Sequence, residues 1–201
     1  HGEATEEERA LAFARFATVA CEWRPKQLQR PGQHDKMTEA AIHASEWLNT
    51  DDPPRLEALK GRVVVVEAFQ MLCPGCVSHG LPQVLRIHQT FRPEEVTVLG
   101  LHTVFEHHEA MTPVALKAFL HEYRIRFPVA VDAAGQGPMP RTMAEWGLEG
   151  TPSLILFDRQ GRMRARHLGQ VPDMAVGAEI MQLMMEREAL LEEQWGASPW
   201  P

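Results

Sequence analysis

Cysteine is scarce in this chain of 201 residues, which contains only three. So few cysteines exclude a small secreted scaffold held together by several disulfides. Cys21 stands alone on the apolar face of a predicted helix, and we interpret it as a buried thiol. The other two, Cys73 and Cys76, are separated by only two residues, and a pair at this spacing indicates redox or metal chemistry.

Clusters of positive charge are also missing. The net charge is −7, and Lys and Arg are scattered without a basic block or an aromatic ladder beside them. A nucleic-acid surface needs such a block, so neither DNA nor RNA is an expected partner.

Long apolar segments are absent as well. No apolar run reaches the roughly 20 residues that cross a membrane, so no membrane partner is expected. The first residues do not resemble a signal peptide, because acidic residues stand where positive charge belongs and Arg9 and Arg15 interrupt the apolar stretch. We therefore expect a cytoplasmic protein, with a periplasmic location as the alternative if a leader preceded His1.

A β-branched run followed by the cysteine pair is the most informative stretch. Val63–Val66 opens a segment that continues to Phe69 without a helical period, which is typical of a strand buried on both faces in a parallel sheet. After a short loop, Cys73-Pro74-Gly75-Cys76 begins the next predicted helix. Free backbone N–H groups and the helix dipole at a helix start favour a thiolate on the first cysteine.

Strands and helices alternate along the rest of the chain and end in a hairpin and a helix. Thr112 and Asp173 are predicted to cap the helices that follow them. This order predicts an α/β fold with a mixed central β-sheet flanked by helices. Residues 1–44 are expected to form an N-terminal helical extension and linker, and residues 45–201 the main domain with its C-terminal helix.

Two separated motifs resemble the thioredoxin-like superfamily. Cys73-Pro74-Gly75-Cys76 follows the first predicted strand, and Gly150-Thr151-Pro152 precedes the hairpin. Within the superfamily the chain is most similar to the TlpA-like redoxins. Leu99-Gly100-Leu101-His102-Thr103 and Glu46-Trp47-Leu48-Asn49 resemble the thioredoxin-like domains found with NHL repeats. The resemblance spans roughly residues 45–186 and implies a thioredoxin-like fold.

The resemblance also implies roles for individual residues. Cys73 would be the attacking thiol and Cys76 the resolving thiol. Glu67, six residues before Cys73, would be the buried acid that moves the proton of Cys76. No cofactor is implied. The implied partners are a protein or small-molecule disulfide substrate and an electron donor of the thioredoxin or glutathione type. The residues implied for substrate binding are Pro74, Gly75, Thr151 and the cis proline Pro152.

The chain departs from the family pattern at three places. Leu72 replaces the aromatic residue that usually precedes the first cysteine. Pro82 lies six residues after Cys76 instead of five, which predicts a bulge or kink near Gly80. The pair between the cysteines is Pro-Gly instead of Gly-Pro, which leaves the direction of the redox reaction open.

Disulfide exchange also follows from the residues alone. It requires one thiol of lowered pKa, a second thiol within a turn and a base for the second thiol. Two alternatives stay open. One is a peroxiredoxin-like thiol peroxidase, although that class has a Thr where Gln70 stands. The other is a metal-binding module of thioredoxin shape that uses the cysteines and nearby histidines.

A histidine-rich stretch follows the second predicted strand. If that strand runs parallel to the first, His102, His107 and His108 emerge at the same sheet edge as Cys73. At that edge they would bind a metal, tune the thiols or form an ordinary polar loop. Adjacent histidines lack an established metal-ligand spacing, which favours the polar loop. His79, just after Cys76, is expected on the helix surface.

Two site residues have ordinary structural alternatives. Glu67 would mark the end of the strand if its carboxylate pointed to solvent, although buried strands rarely carry an unpaired acid. Pro152 would be an ordinary trans proline, since cis bonds are only about 5% of X-Pro bonds.

Overall fold

The computed structural model describes residues 40–195, and over 187–195 it describes the backbone alone. The predicted N-terminal helix and linker, together with Cys21, lie outside the described residues, so the division at residue 44 stays a prediction. Between residues 40 and 195, no helix has both the length and the apolar composition that crossing a bilayer requires.

A six-stranded mixed sheet forms the centre of the molecule. Its strands lie in the order β1-β4-β3-β2-β5-β6. β3 pairs in parallel with β2 and β4, whereas the β1–β4, β2–β5 and β5–β6 pairs are antiparallel. The bounds are β1 Ala44–Leu48, β2 Val63–Phe69, β3 Val96–His102, β4 Val129–Asp132, β5 Ser153–Phe157 and β6 Met163–Leu168. The predicted α/β fold with a mixed central sheet is confirmed.

Helices cover both faces of this sheet. The longer helices α1, α2 and α4 pack on one face, and the short α3 and a 3-10 helix at Leu56–Leu59 pack on the other. The helix bounds are α1 Leu81–Thr90, α2 Pro113–Glu122, α3 Arg141–Glu145 and α4 Asp173–Trp195. A π-helical turn at Cys76–Gly80 leads directly into α1.

The central strand β2 is buried along its whole length. Its side chains alternate between the two faces, so that Val63 and Val65 point toward α1 while Val64 and Val66 point toward α3. Glu67 falls in the first set, on the same face as the cysteine pair and α1. The strand therefore carries an acid into the core directly beneath the helix that begins with the cysteines.

The edge strand β1 was not predicted. Only Leu48 of its five residues is buried, and the sequence Ala-Ser-Glu-Trp-Leu has neither a β-branched run nor a clear alternation. Its strand conformation comes from antiparallel pairing with β4, which is a contact between distant parts of the chain.

One of the two predicted helix caps is confirmed. The Thr112 side chain accepts the Ala115 N–H at the start of α2. The prediction for Asp173 is wrong, because Asp173 is the first residue of α4 and its carboxylate binds α1 instead. It accepts hydrogen bonds from Gln83 Nε2 at 2.8 Å and from Arg86 Nε at 2.7 Å. This contact ties the C-terminal helix to the helix that follows the cysteines.

Asp132 at the end of β4 anchors α3, and its replacement tests this connection. Its buried carboxylate accepts the backbone N–H groups of Thr142 at 2.8 Å and Met143 at 3.0 Å. Asp132→Ala leaves both buried donors unpaired, so we expect the free energy of unfolding to fall by about 2 kcal/mol in urea titrations. Asp51→Ala, at an exposed position, is the matched control. Equal stability of the two variants would contradict the anchoring role.

Candidate active site

The cysteine pair lies where β2 ends and the next helix begins. The Cys73 N–H donates to the Gln70 carbonyl at 3.2 Å, which closes a turn after the strand. The Cys73 carbonyl accepts the Val77 N–H at 3.1 Å, a helical bond between residues four apart. Cys73 is therefore the N-cap residue, at the end of the helix where backbone N–H groups are free.

The two sulfur atoms have different surroundings. Cys73 is partly exposed, whereas Cys76 is completely buried, and both thiols are free. Cys73 Sγ accepts the Cys76 N–H at 3.2 Å and lies 3.5 Å from the Thr151 carbonyl oxygen, to which its thiol donates. One accessible and one protected sulfur thus lie within a single helical turn.

The pKa of Cys76 is raised well above the ordinary value for a thiol. Burial is the main cause, and the hydrogen bond to Cys73 and the charge of Cys73 add to it. Hydrogen bonds from the Gln70 backbone and the Thr151 side chain act in the opposite direction. Cys76 therefore needs a base before it can react as a thiolate.

Glu67 is buried next to the cysteine pair. Its side chain is 1% exposed, and Oε1 has no hydrogen-bond partner among the described residues. Burial raises the pKa of Glu67 well above its ordinary value, and the charge of Cys73 raises it further. The alternative in which Glu67 points to solvent is wrong.

The π-helical turn brings the helix backbone against Glu67. A Cβ atom on Gly80 would overlap Glu67 Oε1 and would lie 3.0 Å from Pro152 Cβ. The one-residue excess between Cys76 and Pro82 is thus taken up as a π turn, which confirms the irregularity predicted near Gly80. Glycine at this position leaves room for the buried carboxyl group.

Pro152 faces the cysteine loop from the other side. The Thr151-Pro152 peptide bond is cis, so the trans alternative is wrong. A Cβ atom on Gly75 would lie 3.1 Å from Pro152 Cδ, which shows how closely the two loops pack. The segment from Leu72 to Gly75, in which Leu72 and Pro74 are exposed, and the loop at Thr151 therefore border the partly exposed Cys73.

Gln70 also belongs to this site, although its position in the sequence indicated only the replacement of a peroxidase threonine. Its side chain is 1% exposed. Its amide contacts the loop after β3 through Phe105 and Glu106, and it contacts the Thr151 hydroxyl. A polar residue between the apolar Phe69 and Met71, directly after a buried strand, was the available indication.

A comparison with protein-family models identifies the group to which this architecture belongs. The Redoxin family model matches residues 40–180, which is most of the chain and all of the site. The chain belongs to the Redoxin family.

Several curated relatives of this redoxin are distant, and the matched segment covers only part of each. NHL repeat-containing protein 2 of Bos taurus is 28% identical over 127 residues, which cover 62% of this chain and 16% of that protein. Thiol-disulfide oxidoreductase ResA of Bacillus anthracis is 24% identical over 115 residues, which cover 57% of this chain and 60% of ResA. The redoxin thus spans less than two thirds of the length of either relative.

Solved structures include more similar redoxin relatives. A thioredoxin-like superfamily protein is 54% identical, with a TM-score of 0.72 over 74% of this chain and 97% of that chain. A thiol-disulfide isomerase from Corynebacterium glutamicum is 51% identical, with a TM-score of 0.69 over 71% of this chain and 93% of that chain. These matches confirm the thioredoxin-like fold.

The three histidines at the end of β3 and in the loop after it, His102, His107 and His108, do not form a ligand group with Cys73 and Cys76. His102 is buried and packs against Phe69, with a ring-centroid distance of 5.3 Å and an angle of 53° between the ring planes. Neither ring nitrogen has a hydrogen-bond partner among the described residues. Burial lowers the pKa of His102 to about 4. His107 and His108 are exposed. Within residues 40–195, no group of three His, Cys, Asp or Glu side chains is placed to hold a metal ion.

His79 is half-buried instead of lying freely on the helix surface. Its ring Nε2 is 3.1 Å from the Val171 carbonyl oxygen, in the segment that leads into α4. Leu72, which replaces the usual aromatic residue, is 56% exposed beside Cys73. The rim of the site in this redoxin therefore carries an exposed aliphatic side chain at position 72.

Gly80→Ala tests the close approach between the π turn and Glu67. The φ of Gly80 is −56°, which any residue can adopt, so the substitution adds no backbone strain and the expected loss comes from steric overlap of the new methyl group. We expect a loss of about 1–3 kcal/mol in the free energy of unfolding, measured in urea. Gly177→Ala in α4 is the matched control, because a Cβ there meets no atom within 4 Å. A Gly80→Ala protein as stable as this control would contradict the approach.

Glu67→Gln tests the raised pKa of Glu67. A carboxyl group whose pKa is higher in the folded state than its unfolded value of 4.5 binds more protons when folded. The free energy of unfolding then falls as the pH rises from that value to the folded pKa, by at most about 1.4 kcal/mol per pH unit. We expect Glu67→Gln to lack this fall and the exposed-site control Glu57→Gln to retain it, in urea titrations across a pH series. Parallel curves for Glu67→Gln and the parent would contradict the assignment.

Proposed function

We propose that this redoxin is a thiol-disulfide oxidoreductase in which Cys73 attacks a substrate disulfide and Cys76 resolves the mixed disulfide. The observation that carries the proposal is the asymmetry of the pair. Cys73 is accessible at the N-cap of a helix and accepts the Cys76 N–H, while Cys76 is sealed beneath it. The similarity to a thiol-disulfide isomerase at 51% identity and to ResA supports the same reaction class.

The first step is attack by the Cys73 thiolate on one sulfur of the substrate disulfide. A bond forms between Cys73 Sγ and that sulfur, the substrate disulfide bond breaks, and the other substrate sulfur leaves as a thiolate. Backbone N–H groups at the helix start, including that of Cys76 at 3.2 Å, stabilise negative charge on the attacking sulfur.

The second step releases the reduced substrate. Cys76 loses its proton and attacks Cys73 Sγ, the bond from Cys73 to the substrate breaks, and the second substrate thiolate leaves. The protein pair ends as a disulfide and the substrate as two thiols, so the electrons balance. An electron donor of the thioredoxin or glutathione type would then reduce the pair.

Glu67 is the proposed base for Cys76. In the reduced site the charge of Cys73 contributes to the raised pKa of Glu67. That charge disappears when Cys73 is bonded to substrate, and the pKa of Glu67 then falls by this contribution. A larger fraction of Glu67 is then deprotonated and available to accept the proton at the stage when Cys76 must lose it.

The proposed substrate groove runs along the two loops that border Cys73. Pro74 and Gly75 form one side, and Thr151 with the cis proline Pro152 forms the other. An extended segment with apolar side chains fits the exposed Leu72 at the rim. The disulfide substrate, the electron donor and a cytoplasmic location stay predictions.

The two alternatives find less support in the geometry. A thiol peroxidase would use a threonine hydroxyl at position 70, and the amide of Gln70 there is engaged by Phe105, Glu106 and Thr151. The metal-binding module would need a cluster of ligands, and the described part of the chain holds no such cluster around the cysteines.

Serine variants of the two cysteines test the mechanism in a Cys21→Ser background, where Cys73 and Cys76 are the remaining thiols. We expect Cys73→Ser to abolish the reduction of insulin disulfides, because the nucleophile is lost. We expect Cys76→Ser to accumulate mixed disulfides, visible as reductant-sensitive adducts by mass spectrometry. The Cys21→Ser protein itself is the control and should keep its activity. Full activity of Cys73→Ser would exclude the proposed mechanism.

A further inference from the structure

The segment that follows β6 contacts both sides of the cysteine site. The Gly169 N–H donates to the Pro152 carbonyl at 2.8 Å, so the segment begins against the cis proline. Two residues further on, the Val171 carbonyl accepts hydrogen bonds from His79 Nε2 at 3.1 Å and from Gln83 Nε2 at 2.7 Å. This short segment therefore links the proline loop to the helical turn that begins at the second cysteine.

The Val171 carbonyl determines which nitrogen of His79 carries a hydrogen. A carbonyl oxygen can only accept a hydrogen bond, so Nε2 of His79 must donate. In the neutral ring Nδ1 then has no hydrogen, and in the protonated ring Nε2 keeps the same one. The hydrogen bond from His79 to Val171 is therefore present in both protonation states of the ring.

His79 belongs to the π turn at Cys76–Gly80. In this turn the Leu81 N–H donates to the Cys76 carbonyl, five residues earlier, so the turn holds one residue more than a turn of α-helix. Such turns are rare, and an α-helical arrangement of the same backbone is the competing conformation. The hydrogen bond of His79 ties this turn to a segment about 90 residues away in sequence, which opposes a shift of the turn.

The residue after His79 is the point where the turn meets the buried acid. A Cβ atom on Gly80 would overlap Glu67 Oε1 and would lie 3.0 Å from Pro152 Cβ. The helix backbone at Gly80 thus lies directly against Glu67 and the cis proline. Because His79 is bonded to Val171 and is adjacent to Gly80, its hydrogen bond fixes the backbone at this contact.

We propose that His79 is a positioning residue for the resolving step, whose hydrogen bond to the Val171 carbonyl holds the π turn against Glu67. The inference rests on the proposed function, because it assigns a role within the second step of that reaction. In that step Cys76, the first residue of the turn, passes its proton to Glu67 and attacks Cys73 Sγ. His79 exchanges no proton in the step and only keeps the turn in place.

A disulfide whose thiolate product is coloured separates the two steps. Reduced protein in the Cys21→Ser background is mixed with dithiobis(nitrobenzoate), and the coloured thiolate is followed by stopped flow. Attack by Cys73 releases one coloured thiolate, and resolution by Cys76 releases the second. Cys76→Ser, which stops after the first release, identifies the phases.

Two substitutions of similar size differ in whether they keep the donor. His79→Met removes the hydrogen bond to Val171, and we expect it to slow the second release about fivefold, as for the loss of one hydrogen bond between neutral groups. The first release should change by less than about twofold, because Cys73 precedes the π turn and keeps its bond to the Gln70 carbonyl. His79→Gln retains an N–H donor at the position of Nε2 and should keep the second release within about twofold of the parent.

The pH profile and two controls separate positioning from other roles. The ratio of the second-release rates of His79→Gln and the parent should stay constant from about pH 6 to 8, since His79 exchanges no proton. Arg86→Met removes the bond between α1 and Asp173, and His88→Leu removes a histidine of α1 that packs against Phe127. Neither residue contacts Val171 or lies in the π turn, so both controls should keep the two phases.

The ring itself provides a test that needs no substitution. Nitrogen–proton correlation by NMR distinguishes the two neutral forms of histidine, and the signals that disappear in His79→Gln identify His79. We expect the hydrogen on Nε2 in the reduced protein near neutral pH. A neutral His79 with its hydrogen on Nδ1 would overturn the inference, even if His79→Met does not fold.

The kinetic results can also overturn the inference. An unchanged second release in His79→Met, equal slowing of both releases in that variant, or a His79→Gln protein as slow as His79→Met would each do so. A pH-dependent ratio between His79→Gln and the parent would make His79 a proton-transfer group instead of a positioning residue. Absence of two coloured releases in the parent protein would instead contradict the proposed function itself.

Discussion

The hydrogen bond from the Cys76 N–H to Cys73 Sγ depends on a helix that begins at a cysteine immediately after a fully buried strand. The strand fixes where the helix can start, and the helix start fixes which of the two sulfurs is accessible. The partly exposed Cys73 sulfur accepts the N–H of Cys76, and the Cys76 sulfur, one turn further on, is buried in the core. The difference in exposure and hydrogen bonding between two chemically identical side chains therefore follows from their positions along a single helix.

The buried acid beneath this helix is a second consequence of the same arrangement. The alternation of side chains along β2 points Glu67 at the helix, where burial and then the charge of Cys73 raise the pKa of its carboxyl group. A π turn and a glycine provide the space that it occupies. The raised pKa of Glu67 is thus a property of the packing between one strand and one helix.

Much of this arrangement could be predicted from local sequence. The run Val63–Val66 predicted the buried central strand, and the cysteine pair after it predicted the helix start. The extra residue before Pro82 predicted the irregularity that the structure shows as a π turn. These features depend on short-range preferences of the backbone and on the period of the apolar residues.

Features that depend on distant segments could not be predicted in this way. β1 is a strand because β4 lies beside it. Gln70 bonds to residues 35, 36 and 81 positions away, so the contacts of its amide form only once three loops have met. His102 is buried because β3 pairs in parallel with β2 and brings it against Phe69, whereas its position in a polar stretch predicted an exposed or ligating side chain.

The shared volume of Gly80 and Glu67 has an evolutionary consequence. A methyl group at position 80 fits without displacing the carboxyl group only if the acid at position 67 becomes shorter or is lost, because the two would otherwise occupy the same space. Among sequences that keep the π turn, the two positions are therefore expected to covary, with a small residue on the helix accompanying a long acid on the strand.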